Sequence, residues 1–408
     1  MSYIGYIERL KTNNPASDAW WDSPTTLYAG HKKSLLNKYP AVDSYIDHLM
    51  PDDFSSVDRG LSSVTTNPRL IAAAILTDKA YWGSQVDASA QCYQSLHTQL
   101  YDNVIREGAA MLASRWQKSA KSTGWISAQL DPLNLRCTQR MCAQGETLQA
   151  LAENVMVKVP GNAEGLEVVE RLVALGCSIN ITFCFTVSQF QAGIKAIERG
   201  KAEACRNGVE TRHCKYVITF MIGRFACQPE FQAQAAERAI TLSTQDQRWS
   251  ELMIYQRVQH LTESSSAGIQ TLLSSIKVDV DATGRKYSWH LEKTGQTKTL
   301  YTLTPEIVDF LIARESHGDP VMPSTKIIRP PADAVNRLMQ IPYFTEAFLP
   351  DAIDPFDFSN HEAFINTWNE ASMAHRRLSD YCRLLCSGQN RLRPMLDSLF
   401  AAELGVSL

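Results

Sequence analysis

The sequence predicts an α/β fold, a (β/α)8 TIM barrel with extra C-terminal helices. Three observations carry that expectation. Eight short apolar runs recur along the 408 residues, most separated by amphipathic stretches of helical length, the alternation that builds a closed parallel sheet wrapped in helices. The runs are continuously apolar, as strands covered by helices must be. Proline follows the second, third and fourth runs, at Pro68, Pro132 and Pro160, and Gly176 stands where a helix should end before the fifth.

The expected strands are Ala19–Asp22, Ser62–Thr66, Trp125–Leu130, Val155–Val159, Ser178–Phe183, Tyr216–Met221, Gln270–Ile276 and Lys298–Thr302. Amphipathic spacing predicts helices that include Ala88–Gln117, Gly145–Glu153, Ala163–Leu175, Ser188–Gly200 and Pro229–Thr241. A polar connection, Asp279–Thr297, joins the last two strands. Beyond Arg329 lies a proline-marked stretch, then helical segments near Asn360–Ser387 and Arg391–Leu404. Neither region reads as containing strands or a core of its own. The expectation is one domain over 1–408, with 330–408 as a C-terminal helical extension.

Composition narrows the function. A hydrophobic content of 44% is ample for a core, and a net charge of −3 leaves no footprint for nucleic acid or an acidic membrane surface. The first residues lack the apolar core of a signal peptide, and no apolar run reaches the ~18 residues of a membrane span. Ten cysteines occur without a C-x-x-C pair, several of them (Cys177, Cys184, Cys382, Cys386) in apolar segments. That is the pattern of reduced thiols in a cytoplasmic protein. The spacing of Cys205, His213, Cys214 and Cys227 fits no structural zinc pattern.

Chemistry shows in polar residues on or just past strand ends, where barrel enzymes place their reacting groups. The most informative is Lys158, set in VMVKVP. Burial disfavours its charged form and leaves a neutral amine, which is what attack on a carbonyl requires. Asp22, Asn67 and Gln129 end or follow the first three strands. Asn180 and Thr182 alternate on the fifth and so share a face. Thr219 and Arg224 lie on and after the sixth, Ser275 and Lys277 at the seventh. Each has an ordinary explanation: a strand-end Asp as a cap, Asn67 as an Asx-turn before Pro68, Arg224 as a surface ion pair, Lys158 as a snorkelling side chain. Their convergence on one end of the barrel favours a site.

The segments VTTNPRLI, VMVKVPGNAEGL and SINITFCFTVSQF resemble strands two, four and five of the transaldolases. The likeness runs from WWDSP to IGRF, with LTPEIVDFL and FLPDAIDPFDF resembling the tails of longer bacterial and plant-type members. The resemblance implies the barrel fold and a role for each matched position. Lys158 would form a Schiff base with a ketose carbonyl, and Asp22 would shuttle protons at the breaking carbon–carbon bond. Asn67 and Asn180 would hydrogen-bond substrate hydroxyls, and Thr182 would hold a catalytic water with Gln129. Thr219 is a further binding candidate. Arg224 would bind a substrate phosphate, with Ser275 and Lys277 as further phosphate contacts. Two positions depart from the family: Gln129 stands where most transaldolases have glutamate, and Met221 where the fructose-6-phosphate aldolases have tyrosine.

The expected function is transfer of a three-carbon dihydroxyacetone unit from a ketose, phosphorylated as in the family, to an aldehyde. No metal or cofactor enters that scheme, since the iminium is the electron sink. The partners are small sugar phosphates or related carbonyl compounds; oligomeric state stays open. The rivals are an aldolase or a specialised secondary-pathway enzyme on the same chemistry, and a catalytically silent barrel that binds. Trp20 and Trp21 are expected to pack the barrel. Trp289 or His290, in the polar connection, is weighed as a determinant of acceptor choice against simple packing on the rim.

Overall fold

The computed structural model describes residues 4–86 and 92–387. Eight parallel strands close into a barrel: β1 (Asp18–Trp21), β2 (Val64–Thr65), β3 (Ile126–Gln129), β4 (Val155–Pro160), β5 (Ile179–Cys184), β6 (Tyr216–Phe220), β7 (Ile269–Leu273) and β10 (Thr299–Leu303). Their order around the barrel is β1-β10-β7-β6-β5-β4-β3-β2, each neighbour parallel. All eight expected strands are present within a few residues of their predicted bounds. The polar connection after β7 departs from expectation. It carries a two-stranded antiparallel hairpin, β8 (Asp279–Val280) and β9 (Lys286–Tyr287), followed by the helix Trp289–Glu292. Strands two residues long are below what alternation can reveal.

Pleating sorts the side chains of each strand. On β1, Trp20 faces the axis and joins Trp116, Trp125, Met156, Val217, Leu272 and Leu300 in a closed floor. Its neighbour Trp21 faces outward, edge-on to Tyr28 at 5.6 Å. Both tryptophans therefore fill the core, one on each side of the wall.

Helix boundaries moved where tertiary packing overrode local pattern. The helix expected at Gly145–Glu153 is Thr138–Gln149, because its buried face begins at Met141 and Cys142 and ends at Leu148. The one expected at Pro229–Thr241 stops at Glu237, where Ala239 turns left-handed with φ +56°. Ser188–Gly200 starts within one residue of the helix Val187–Arg206 but stops short of its end; the start is fixed by a capping box between Thr186 and Gln189. Ala163–Ala174 ends as predicted, at Gly176 with φ +81°. Ala88–Gln117 is seen as Tyr93–Lys118, its expected first turn lying outside the described residues. The helix Thr244–Ser264, between β6 and β7, was not in the expected set. It buries eight consecutive residues, Arg248–Tyr255, so it shows no single apolar stripe.

The C-terminal segment closes over the barrel. Glu362–Ser387 forms one long helix packed on the helices Pro68–Thr77 and Tyr93–Lys118. The segment predicted at Arg391–Leu404 lies outside the described residues. No helix among the described residues is long and apolar enough to cross a membrane.

Candidate active site

The floor fixes what stands above it. Met156 points inward on β4, so Lys158, two residues further, points inward one layer nearer the C-terminal mouth. Register puts Gln129 of β3 and Asn180 of β5 directly beside it. The same alternation carries Trp20 to Asp22 at the end of β1. Above the floor lies a cavity of about 160 Å³. Asp22, Asn67, Gln129 and Lys158 line it, with Thr182, Thr219, Arg224 and Ser275 across the mouth.

Lys158 is only 7% exposed. Its Nζ donates to the Thr66 carbonyl oxygen at 3.1 Å. Burial pushes its pKa below the usual lysine range, and the charge of Asp22 draws it partly back. Burial pushes the Asp22 carboxyl above the ordinary carboxylate range, against the opposing pull of Lys158 and of the Thr65 hydroxyl, which donates to Oδ1 at 2.7 Å. Burial thus moves the two pKa values towards each other, which narrows the free-energy gap for passing a proton between such groups.

The other predicted residues divide. Asn67 caps the helix Pro68–Thr77, its Oδ1 accepting from the Leu70 amide at 3.0 Å, while its side chain also borders the cavity. Thr182 is buried at the mouth, and its Oγ1 has no hydrogen-bond partner. That hydroxyl is open to a water or substrate atom. Asn180, beside Lys158 in register, is held by its neighbours. Its amide donates to Ser127 Oγ at 2.9 Å and its Oδ1 accepts from the Thr219 hydroxyl at 2.6 Å, so it ties β3 to β6. Lys277 follows β7 and is tied to the hairpin connection. Its backbone amide donates to His290 Nδ1 at 3.1 Å, and its side chain is absent from the cavity wall. Trp289 and His290 are likewise away from the wall. His290 is fully buried with Nε2 2.8 Å from Glu251, and Trp289 packs edge-on against Trp249 at 5.2 Å. They anchor the hairpin connection to the long helix Thr244–Ser264.

Arg224 lies on the short helix Ile222–Phe225, which follows β6. Gly223 lets this helix approach β7: a Cβ there would stand 1.9 Å from the Ser275 carbonyl oxygen. Arg224 Nη2 is paired at 2.6 Å with Glu370, from the C-terminal helix. Ser275 and Phe183, both on the wall, have left-handed backbones with φ +58° and +59°. Such strain in non-glycine residues gathers at functional sites. Sequence reading missed Thr65, Ser274, Thr302, Arg69, Thr367 and Glu370 among the lining residues. Ser274 was legible, since Leu272 faces the floor and alternation turns 274 inward; its buried Oγ lacks a partner. Glu370 carried no local signal. Among the described residues no group of three His, Cys, Asp or Glu side chains is placed to hold a metal.

Fold and site together define a class: closed parallel barrels whose mouth surrounds a buried lysine beside a first-strand aspartate. The family described as Transaldolase/Fructose-6-phosphate aldolase matches residues 45–363, and the chain belongs to it. The chain is 28% identical over 169 residues to a transaldolase of Thiobacillus denitrificans, covering 40% of this chain and 47% of that protein. It is 28% identical over 193 residues to a transaldolase of Thermobifida fusca, covering 45% and 52%. A Campylobacter jejuni transaldolase is 26% identical over 190 residues, covering 45% and 57%. The chain thus spans about half the length of the curated relatives it matches. The family match begins beyond Asp22 and ends before Glu370.

Proposed function

We propose that the chain is a transaldolase-type enzyme, moving a three-carbon dihydroxyacetone unit from a ketose donor to an aldehyde acceptor through a Schiff base on Lys158. The observation that carries this reading is the buried amine of Lys158 at the barrel mouth, its proton affinity lowered and a carboxylate beside it. Neutral Nζ attacks the C2 carbonyl, and the carbinolamine loses water to give an iminium. Asp22 takes the proton of the C4 hydroxyl as the C3–C4 bond breaks, and the bond's electron pair enters the iminium to form an enamine. The first aldehyde leaves. The enamine carbon attacks the acceptor aldehyde, Asp22 returns its proton to the new alkoxide, and water hydrolyses the imine. The partnerless hydroxyl of Thr182 suits it to hold that water. Gln129 can orient water but cannot titrate, which leaves the proton steps at the reacting carbons to Asp22.

Borohydride with substrate should leave a reduced adduct on Lys158 by mass spectrometry and none on Lys158→Ala; unmodified wild-type protein would refute the imine. Gln129 and Met221 on the wall motivate a second reading, an aldolase that releases the three-carbon unit. Turnover with donor alone, compared with donor plus acceptor, separates the two. A phosphate on either substrate would meet Arg224, whose guanidinium is already engaged by Glu370.

A further inference from the structure

The helix Glu362–Ser387 does more than cover the barrel. Its buried face repeats at Phe364, Thr367, Ala371, Ala374, Leu378 and Tyr381, spacings of three and four that set one stripe on the protein beneath. Glu370 stands beside that stripe, next to Ala371, and so hangs over the opening. Thr367, Glu370 and Ala371 complete the cavity wall.

The placement is built, not incidental. The Glu362 carboxylate accepts from the Glu230 amide at 2.8 Å, and Asn366 donates to Gln228 Oε1 at 2.7 Å. The Trp368 indole donates to the Pro132 carbonyl at 2.8 Å, and His375 Nδ1 lies 3.3 Å from Asp131. These ties pin the helix to the segments that follow β3 and β6. Arg224 belongs to one of those segments, and Glu370 reaches it at 2.6 Å.

A phosphate bound by Arg224 would lie against this second anion. Like charges held together disfavour one another, and a guanidinium already paired with a carboxylate through Nη2 gives up part of its attraction for a second anion. Two other cations among the described residues lie near: Arg69, at the rim, has an interaction of its own, and the Lys277 side chain lies against Gly223, off the cavity wall. A hydroxyl meets different chemistry. The carboxylate accepts from its O–H, and the guanidinium donates to its oxygen, so the pair serves both halves of an uncharged polyol.

We infer that Glu370 makes this mouth a site for unphosphorylated, hydroxyl-terminated ketoses and aldehydes. The inference rests on the Schiff-base reading of Lys158. Glu370 acts here as a positioning residue that sets the charge presented by Arg224.

The test uses the full chain. Dihydroxyacetone with borohydride probes Lys158 alone, because this ketone has no distal end to reach Arg224. Fructose against fructose 6-phosphate as donor, and erythrose against erythrose 4-phosphate as acceptor, then give the preference as a ratio of kcat/KM. The wild type should favour the unphosphorylated member. Glu370→Gln should move the ratio towards phosphate by about tenfold, mainly in KM. Glu370→Gln combined with Arg224→Gln should cancel that shift, while dihydroxyacetone trapping on both variants reports an intact site. A dihydroxyacetone adduct on Lys158 together with a wild-type preference for phosphate, or a ratio unmoved by Glu370→Gln, overturns the inference. No adduct at all removes the Schiff-base reading, and the inference with it.

Discussion

Lys158 is costly to fold around. Its pKa in the folded state lies below that of the unfolded chain, because burial opposes the ammonium form. The folded state is therefore destabilised as pH falls from the unfolded lysine value to the folded one, and the deficit stays constant below that. Asp22 shifts the other way: raised by burial, it favours the folded state only at low pH, and that gain is lost as pH rises through its folded pKa. At neutral pH both groups cost stability. Lys158→Met should accordingly stabilise the protein by about 1 kcal/mol at pH 7 while abolishing the adduct, read by urea unfolding; a less stable variant would contradict this. In catalysis the two groups act in the same direction. Lys158 must be neutral and Asp22 ionised, so kcat/KM should rise with pH into the neutral range, and Asp22→Asn should lower kcat by about 10²–10⁴. A profile falling across neutrality would count against these roles. Both residues were legible in the sequence, because a charge inside an apolar strand has no bland neighbours to hide among. Asn180 was legible as polar and inward, but not as a brace: only the facing Ser127 and Thr219 show that its amide donates to one and accepts from the other.

At the scale of elements, two contacts hold the mouth in shape. Gly223 lets the helix Ile222–Phe225 rest on the Ser275 carbonyl oxygen, and a methyl group there has no room. Gly223→Ala should cost about 1–3 kcal/mol and displace Arg224 with its helix, seen as a lower urea midpoint; an unchanged midpoint would show that the contact is loose. Phe364 anchors the C-terminal helix, fully buried and edge-on to Phe183 at 5.6 Å. Phe364→Ala should cost about 3–5 kcal/mol, measured the same way. The strands could be read in advance because period and length separate a buried parallel strand from a helix. The helix Thr244–Ser264 could not, because it is buried at consecutive positions and its pattern carries no face.

At the scale of the molecule, residues 1–408 are proposed to form one domain, with 330–408 as its helical extension. One contiguous buried cluster runs from Tyr6 to Cys382, joining barrel and C-terminal helix. Calorimetry should show a single transition, with equal calorimetric and van't Hoff enthalpies; a separate early melting of the C-terminal segment would divide the chain. The sequence by itself determined the alternation of strands and helices, and hence the barrel, since both follow from periodicity along neighbouring residues. It also made some of the polar residues at the mouth legible, among them Lys158, Asp22 and Gln129, since pleating converts position into direction, but not Thr65 or Thr302. Tertiary structure alone decided that Glu370, distant along the chain, meets Arg224. That contact depends on where a long helix comes to rest across the barrel, and no local pattern encodes the distance between segments that only folding brings together.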